Sequence, residues 1–429
     1  MDISVVGSGY VGTTIAACFA DFGHEVTAVD IDEAIVSEIN NGKAPIHEPG
    51  LSGLISEHAE GRLMATTEYT DIQDTEVTFL ALPTPANEDG SIDTSIIETG
   101  AERVGEVLAS TDSHTVVVKS TVVPGTTQEV LAPKIKSEAG EAIDIGMNPE
   151  FLREGTAVQD FLEPDKVVFG TENRSARIEL QKVFRPLIDE VNPAVVKTGI
   201  SEAEMIKYAN NAFLASKISL INDIGNICKE FNIDAYEVAD AIGLDNRIEA
   251  KFLRSGVGWG GSCFPKDVRA IINAASEQGY EPEMLQSAVN INELQPRRLV
   301  ELLDKHVQLD GARIAVLGLA FKPGTDDIRN SRAIPVIDLL QQQGADPVGY
   351  DPVAVGNMTE QFPEIEYTRS AEEALTGADG AVVVTDWDEF ATLTTEFSKM
   401  NQPVIVDGRR IIEPDDIAEE DAVYEGLTW

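Results

Sequence analysis

The sequence predicts an α/β protein with two doubly wound domains, joined by a long central helix and a small helical domain. Two observations carry this prediction. Apolar strands alternate with helical segments near both ends of the chain, and one long helical segment lies between the two sets. We place the first domain at residues 1–198, the central helical domain at 199–303 and the last domain at 304–429. A chain of 429 residues is long enough for two or three cores.

The N-terminus combines a short strand, a glycine turn and a helix. The strand, 3–6, runs into Gly7-Ser8-Gly9-Tyr10-Val11-Gly12, and a helical stretch follows over 13–22. Such glycines permit a tight turn, close approach of a pyrophosphate and packing of helix on strand, while the helix N-terminus offers N–H groups to the anion. The next strand, 25–29, ends at Asp30, where a carboxylate can accept hydrogen bonds from a ribose and favours NAD over NADP. The pattern predicts a Rossmann-like NAD site.

Further strands of the first domain end in polar residues. Strand 77–82 leads to Thr84, and strand 115–118 leads to Ser120 and Thr121. Ligands of open α/β sheets gather beyond the carboxyl ends of strands, so we expect these hydroxyls and the segment 148–154 to line one crevice. Each of these residues is also a common cap or turn former, which is the alternative interpretation.

The long helical segment, Ser201 to about Glu230, is expected to begin with a capping box of Ser201 and Glu204. It would be about 45 Å long. Its apolar residues fall on several faces, which predicts burial between domains or against a partner subunit. Lys207 and Asn211 lie four residues apart on it. A lysine among apolar residues is costly without an anionic companion, which makes Lys207 a functional candidate; the alternative is a surface lysine that extends its ammonium to solvent.

The segment Gly260-Gly261-Ser262-Cys263-Phe264-Pro265-Lys266-Asp267 indicates a reactive cysteine. A nearby ammonium or a helix N-terminus lowers a cysteine pKa, and the thiolate is the attacking species. If Cys263 opens a helix, Asp267 lies one turn along, able to orient water or exchange a proton. The alternative is a buried structural cysteine.

The last domain repeats the order of strand, glycine, helix, strand and acid, but without the three-glycine turn. Strand 313–317 runs into Gly318, and a later strand ends at Asp351. The domain either binds another nucleotide or only shares the architecture. The loop between these features carries two cations, Lys322 and Arg329, which are candidates for binding an anionic ligand. The alternative is that they only neutralise neighbouring carboxylates.

Composition limits the possible partners. The formal net charge is −42, from 74 acidic and 32 basic residues, which disfavours nucleic acid and anionic membranes and is typical of halophilic proteins. The alternative is an ordinary acidic enzyme. Three cysteines, Cys18, Cys228 and Cys263, give neither a disulfide framework nor a metal-ligand spacing. Without an export signal or a membrane-spanning stretch, a soluble cytoplasmic protein with no metal site is expected.

Seven stretches together make the chain similar to the UDP-glucose/GDP-mannose dehydrogenase family, nearly from end to end. They are GSGYVG from Gly7, KSTVVPGT from Lys119, NPEFLREG from Asn148, EAEMIKYANNAF from Glu202, GWGGSCFPKD from Gly258, GLAFKPGTDDIRNS from Gly318 and DGRR from Asp407. The resemblance implies oxidation of the primary alcohol of a nucleotide sugar to the carboxylate with two NAD molecules. It also implies a homodimer that meets along the central helix.

The resemblance also implies roles for individual residues. Cys263 would form a thiohemiacetal and then a thioester, Glu150 and Thr121 would place the hydrolytic water, Asp267 would assist as base, and Lys207 and Asn211 would stabilise the oxyanion. The implied cofactor contacts are Gly7, Gly9, Tyr10, Val11, Gly12, Asp30, Thr84, Thr121, Glu154, Lys266 and Arg329. The implied substrate contacts are Glu150, Phe151, Leu152, Lys207, Asn211, Arg247, Phe252, Gly260, Phe264, Lys322 and Arg409, with Arg247 reaching across from the partner subunit.

Several alternatives stay open. GGSCFPKD resembles most closely the branch that acts on UDP-glucose, while GDP-mannose and UDP-N-acetylhexosamine remain alternative substrates. A two-electron hydroxyacid dehydrogenase shares the first domain and a helical middle, yet it needs neither Cys263 nor a second nucleotide domain. A nucleotide-sugar sensor without catalysis would be expected to have lost Lys207, Cys263 or Asp267.

Overall fold

A computed structural model describes residues 1–417 and 422–429. The chain divides into two compact units, Met1–Asn210 and Asn211–Trp429, and the division falls inside the long helix. The three-domain division of the sequence analysis stays a prediction. Of the described helices, none is long and apolar enough to cross a membrane.

The first unit is built on an eight-stranded sheet. Its strands are β1 (Asp2–Val6), β2 (Glu25–Val29), β3 (Leu63–Thr66), β4 (Val77–Leu80), β5 (His114–Val118), β6 (Ile143–Met147), β7 (Lys166–Thr171) and β8 (Ala194–Thr198). The order is β3-β2-β1-β4-β5-β6-β7-β8; among these described strands β6 and β7 pair antiparallel, and the other neighbours are parallel. Both β4 and β5 are buried along their whole length, as is typical of strands in a parallel sheet covered on both faces.

The helices of this unit are α1 (Tyr10–Asp21), α2 (Glu33–Asn40), α3 (Leu51–His58), α4 (Ser95–Leu108), α5 (Ala132–Ala139), α6 (Ala157–Leu162), α7 (Arg174–Val183) and α8 (Arg185–Val191), with a π-helical turn at Thr127–Leu131. An aromatic cluster packs α1 against the sheet. The Phe19 ring lies 4.9 Å from Phe79, 5.4 Å from Phe161 and 5.6 Å from Phe184, measured between centroids. These contacts fix α1, and with it the glycine turn at its N-terminus.

The second unit carries a six-stranded, fully parallel sheet. Its strands are β9 (Arg313–Leu317), β10 (Asp346–Tyr350), β11 (Glu366–Tyr367), β12 (Gly380–Val383), β13 (Val404–Asp407) and β14 (Val423–Gly426). The order β11-β10-β9-β12-β13-β14 repeats that of the first six strands of the first unit. Its helices are α10 (Ala235–Gly243), α11 (Phe264–Glu277), α12 (Glu283–Asp304), α13 (Ala333–Gln342), α14 (Val355–Gln361) and α15 (Ala371–Leu375). The predicted second doubly wound sheet is therefore confirmed.

The long helix, α9, runs from Ile200 to Glu230. The predicted capping box is wrong, because the helix already begins one residue before Ser201. The Ser201 hydroxyl donates to the Gln128 side chain over 2.7 Å. The buried Glu204 carboxylate accepts the N–H groups of Gly125 at 2.6 Å and Thr127 at 2.8 Å. Glu204 therefore anchors a loop of the first unit instead of capping its own helix.

Candidate active site

The glycine turn is shaped for an anion. Gly7 has a φ of +94°, and a Cβ there would lie 2.6 Å from the Ala81 carbonyl oxygen. A Cβ at Gly12 would lie 1.7 Å from the Gly7 oxygen, whereas a Cβ at Gly9 would meet nothing within 4 Å. Gly7 and Gly12 are therefore needed for packing, and Gly9 leaves open space. Because Gly9 caps α1 without a side chain, the N–H groups of the first helical turn, at Tyr10 and Val11, face no capping side chain.

Beside this turn lies a cavity of about 300 Å³, whose lining includes Gly7, Asp30, Tyr69 and Arg103. The Asp30 carboxylate accepts the N–H of Ser8 at 2.6 Å and keeps further lone pairs for a ribose. The Arg103 guanidinium lies 5.5 Å from the centre of the Tyr69 ring. The volume and the acid both fit the adenosine half of NAD. Sequence reasoning missed Tyr69 and Arg103, since neither belongs to the glycine motif.

The polar residues after β4 and β5 connect the two loops that follow these strands. The Thr84 hydroxyl donates to the Thr121 carbonyl oxygen over 2.9 Å. The Ser120 hydroxyl donates to the Leu82 oxygen over 2.6 Å. These hydroxyls connect one loop to the next. Part of their role is therefore to stabilise turns, which is the alternative interpretation given in the sequence analysis.

The segment after β6 places Glu150 against a buried lysine. Glu150 Oε1 accepts the N–H groups of Phe151 at 2.6 Å and Leu152 at 2.7 Å, and Oε2 lies 2.8 Å from Lys119 Nζ. Both charged side chains are buried. Sequence reasoning gave Lys119 no role. Its sequence position could have indicated burial, because Lys119 directly follows an apolar strand, and that strand is buried on both faces.

Lys207 is buried on α9, and its Nζ lies 5.5 Å from the centre of the Phe151 ring. Lys166 lies over the same ring at 4.3 Å. A buried ammonium is costly without compensation, and an aromatic face supplies part of it. The structure thus brings Lys207 to Phe151, two of the predicted site residues.

A second buried carboxylate anchors the segment that contains Glu154. Glu48 accepts the N–H of Gly155 at 2.8 Å and that of Ala157 at 2.7 Å, and the Tyr10 hydroxyl donates to it. Burial, followed by the hydrogen bond to Glu48, raises the pKa of Tyr10 well above its usual range. The glycine turn and the Glu150 segment are therefore joined through one carboxylate that sequence reasoning missed.

In the second unit, Cys263 is exposed and caps the N-terminus of α11, as predicted for a helix that it opens. The turn before it is held by the loop after β9. The Gly261 N–H donates to the Arg329 oxygen at 2.9 Å, and the Asn330 amide donates to the Gly261 oxygen at 3.1 Å. A Cβ at Gly260 would lie 2.2 Å from the Asn330 oxygen. The interpretation of Cys263 as a buried structural thiol is therefore wrong.

Asp267 lies one turn after the thiol. Its N–H donates to the Cys263 oxygen at 2.8 Å, and its carboxylate accepts from the Asn211 amide at 2.6 Å and from Lys266 Nζ at 2.8 Å. Asp267 is only 2% exposed. The carboxylate is therefore held in one orientation, one helical turn after the cysteine and with a cation beside it.

The other predicted substrate residues of this unit differ in their surroundings. Arg409 donates to the oxygens of Val384 at 2.7 Å and Gly258 at 3.3 Å, and Phe264 packs edge-on against Trp259. Lys322 lies 5.4 Å from the Phe321 ring. The remaining two, Arg247 and Phe252, lie between α10 and α11, and both are exposed.

Two of the predicted cations are paired with neighbouring carboxylates. Arg247 binds Asp245 through two nitrogens, and Arg329 binds Asp327 in the same way. Neutralisation of nearby acids, the alternative left open for the Lys322–Arg329 loop, therefore accounts for part of the role of Arg329.

Asp351 occupies the position in the second unit that Asp30 occupies in the first. Its carboxylate accepts from five donors of its own unit, at 2.7 to 3.0 Å: the N–H groups of Leu319, Ala320, Val353 and Ala354 and the indole of Trp387. A carboxylate offers about four lone-pair positions. The acceptor positions of Asp351 are thus occupied by donors of its own unit, and Asp351 does not hold a ribose in the way proposed for Asp30.

Family models place this architecture among known dehydrogenases. Residues 1–188 match the NAD binding domain of the UDP-glucose/GDP-mannose dehydrogenase family, 201–294 its central domain and 315–414 its UDP binding domain. The chain belongs to this family. It is therefore an NAD-dependent dehydrogenase whose substrate is a nucleotide sugar, which leaves no support for the hydroxyacid dehydrogenase alternative.

Individual relatives and solved structures support the same family assignment. The chain is 60% identical to UDP-glucose 6-dehydrogenase AglM of the halophile Haloferax volcanii, over 96% of this chain and 97% of the relative. It is 38% identical to UDP-glucose 6-dehydrogenase TuaD of Bacillus subtilis, over 99% and 92%. The structure of a UDP-glucose dehydrogenase from Pyrobaculum islandicum matches with a TM-score of 0.92 at 37% identity, covering 100% of this chain and 98% of that one. The Pyrococcus horikoshii UDP-D-ManNAc dehydrogenase matches with a TM-score of 0.87 at 28% identity, over 100% and 99%.

Proposed function

We propose that this protein oxidises the C6 hydroxyl of UDP-glucose to the carboxylate of UDP-glucuronate, through a covalent intermediate on Cys263. The observation that carries the proposal is the exposed thiol at the N-terminus of α11, one turn from the buried Asp267 carboxylate. The names of the relatives above support UDP-glucose as the sugar. The balanced reaction consumes one alcohol, one water and two NAD⁺ and yields one carboxylate, two NADH and three protons.

In the first half, the C6 hydroxyl loses its proton and the C6 carbon loses a hydride, which leaves an aldehyde. Bound NAD would supply the hydride acceptor for each of the two oxidations. Lys207 and the Asn211 amide would donate hydrogen bonds to the developing oxyanion. Such donors are commonly worth about 3 kcal/mol each in the transition state.

In the second half, the Cys263 sulfur adds to the aldehyde carbon and its proton passes to the oxygen, giving a thiohemiacetal. Loss of a hydride and a proton leaves a thioester. Water then attacks the thioester carbon, the C–S bond breaks, and the carboxylate and the thiol are released. Glu150 and Thr121 would orient this water, and Asp267 would exchange the protons of the thiol and the water.

We also propose the predicted binding contacts, some of which share the catalytic roles given above. Cofactor contacts are Gly7, Gly9, Tyr10, Val11, Gly12, Asp30, Thr84, Thr121, Glu154, Lys266 and Arg329. Substrate contacts are Glu150, Phe151, Leu152, Lys207, Asn211, Arg247, Phe252, Gly260, Phe264, Lys322 and Arg409. Open space at Gly9 supports the first group, and the exposure of Arg247 and Phe252 supports the second.

The deciding measurement is NADH formed per UDP-glucose consumed, in multimolar KCl. Two NADH per sugar with UDP-glucuronate as product are expected. No NADH from folded protein with UDP-glucose, but two with GDP-mannose or a UDP-N-acetylhexosamine, would reassign the substrate. Binding of nucleotide sugar without any NADH would favour a sensor.

We also propose that the protein is a cytoplasmic homodimer formed along α9. Phe213, Leu220 and Ile227 recur every seven residues on this helix, and each is more than half exposed. An apolar stripe of this kind is typical of a helix that packs against a partner. Free cysteines suit a reducing compartment. Light scattering should show a dimer, and Leu220→Glu should give monomers, whereas Met284→Glu, at an exposed position on α12, should leave the dimer intact.

A further inference from the structure

Lys119 is a buried lysine that the proposed mechanism does not use. It directly follows β5, is 3% exposed, and donates to the Asn148 Oδ1 at 3.0 Å. Its Nζ also lies 2.8 Å from Glu150 Oε2. A buried ammonium is costly, so a position like this one is held only where partner groups compensate its charge.

The two oxygens of Glu150 are engaged differently. Oε1 accepts two backbone N–H groups, which occupy both of its lone-pair positions. Oε2 is close to the ammonium, yet among the described residues no donor forms a directed hydrogen bond with it. Lys119 therefore compensates the charge of the carboxylate while the lone pairs of Oε2 stay available to another donor.

The space beside this pair can hold that donor. A cavity of about 40 Å³ is lined by Lys119, Glu150 and Lys166, among others. This exceeds what one water molecule needs, and a carboxylate and an ammonium supply the polar partners that an ordered water requires. The arrangement suits a water that donates to Oε2.

We propose that Lys119 is a positioning residue for the hydrolytic half of the reaction, which holds the Glu150 carboxylate in place and directs Oε2 toward the attacking water. This inference rests on the proposed function, in which Glu150 orients the water that cleaves the Cys263 thioester. Lys119 touches neither the sulfur nor the sugar in this scheme, and it acts only through Glu150. Its removal should therefore slow hydrolysis and leave both hydride transfers unchanged.

The test compares wild type, Lys119→Met, Lys119→Arg, Glu150→Gln and the double variant Lys119→Met/Glu150→Gln. Rapid acid quench followed by intact-mass measurement counts the thioester on Cys263, and absorbance follows the two NADH-forming phases. In Lys119→Met we expect both NADH phases at wild-type rates, a thioester that accumulates, and hydrolysis slowed about 10²-fold. Lys119→Arg keeps the cation and should recover most of the hydrolysis rate.

The double variant separates positioning from a general structural role. If Lys119 acts through Glu150, the double variant hydrolyses the thioester as fast as Glu150→Gln alone. A further loss in the double variant, or equal slowing of the NADH phases and hydrolysis, would overturn the proposal. Because the double variant buries no unpaired charge, this comparison holds even where Lys119→Met alone does not fold. Lys182→Met, which removes an exposed lysine on α7 of the same unit, should hydrolyse at the wild-type rate.

The same variants distinguish failure of the Lys119 proposal from failure of the proposed function on which it rests. If wild type produces no thioester and no second NADH, the proposed function fails. If Glu150→Gln accumulates no thioester, the role of Glu150 fails and this inference fails with it. If Glu150→Gln accumulates thioester and Lys119→Met does not, only the role of Lys119 is wrong.

Discussion

The Asn211 amide donates to the Asp267 carboxylate over 2.6 Å, and both side chains are buried. Lys266 binds the other oxygen of the same carboxylate at 2.8 Å. Two partners thus fix the orientation of Asp267 one turn from Cys263. Preorganisation of this kind is what a proton-exchanging carboxylate needs, because the barrier then contains no cost for turning the group.

Asp267→Asn should lower kcat about 10²- to 10⁴-fold, the range for loss of a general acid or base, while the unit stays folded because the shape is kept. Steady-state NADH formation and thermal unfolding measure the two effects. Asp304→Asn, an exposed change at the end of α12, serves as the control and should alter neither. An unchanged kcat in Asp267→Asn would remove Asp267 from the chemistry.

Substitution by alanine should have different effects at two glycines of the turn from Gly7 to Gly12. At Gly9 a Cβ meets no neighbour and points into open space, so Gly9→Ala should keep the wild-type melting temperature. It should raise the KM for NAD about tenfold or more, since one lost hydrogen bond to an anion costs about 1.5–3 kcal/mol. Kinetics over a range of NAD concentrations, with UDP-glucose saturating, give this value.

Gly12→Ala is the matched comparison, because its Cβ would lie 1.7 Å from the Gly7 oxygen. Overpacking of this kind costs about 1–3 kcal/mol or more, so the melting temperature should fall. If both variants lose stability equally, or neither changes the KM for NAD, the glycines have no separate roles in packing and anion binding.

The parts of the site that sequence alone predicted are those with short-range patterns. The turn from Gly7 to Gly12, the acid Asp30 and the helix opened by Cys263 all depend on neighbours within about thirty residues. Glu48 binds Gly155, 107 positions away, and Glu204 binds Thr127, 77 positions away. No local pattern encodes such partners. The capping box failed for the same reason, since the Glu204 carboxylate is held by a loop that only the fold brings near.

Cys263 should be the thiol that reacts in the native protein. Cys18 and Cys228 are buried, and burial also raises the pKa of Cys18 far above its usual range. Iodoacetamide should therefore add one carbamidomethyl group per chain, located at Cys263 by peptide mass. Both UDP-glucose and Cys263→Ala should abolish the labelling, whereas Cys228→Ser should leave it unchanged. Two or more labels on folded protein would contradict the burial of the other thiols.

His114 gives the first unit a specific acid sensitivity. It is buried in β5, where one ring nitrogen lies 2.7 Å from the Thr78 hydroxyl, and burial lowers its pKa to about 4. The unfolded chain protonates histidine at about 6.5. As the pH falls from about 6.5 to about 4, His114 therefore binds a proton in the unfolded state but stays neutral in the native state. The free energy of unfolding decreases as a result.

The expected loss from this one group is about 2 kcal/mol at a pH of about 5, and about 3 kcal/mol at a pH of about 4. Denaturant unfolding of wild type and His114→Gln in multimolar KCl, at neutral pH and at about pH 5, measures it. Carboxylates contribute equally to both proteins, so they cancel in the difference. Although His114→Gln loses packing and starts less stable at neutral pH, its deficit should shrink by about 2 kcal/mol on acidification. A deficit that stays constant would mean that the native state accepts the proton at His114 as readily as the unfolded chain does.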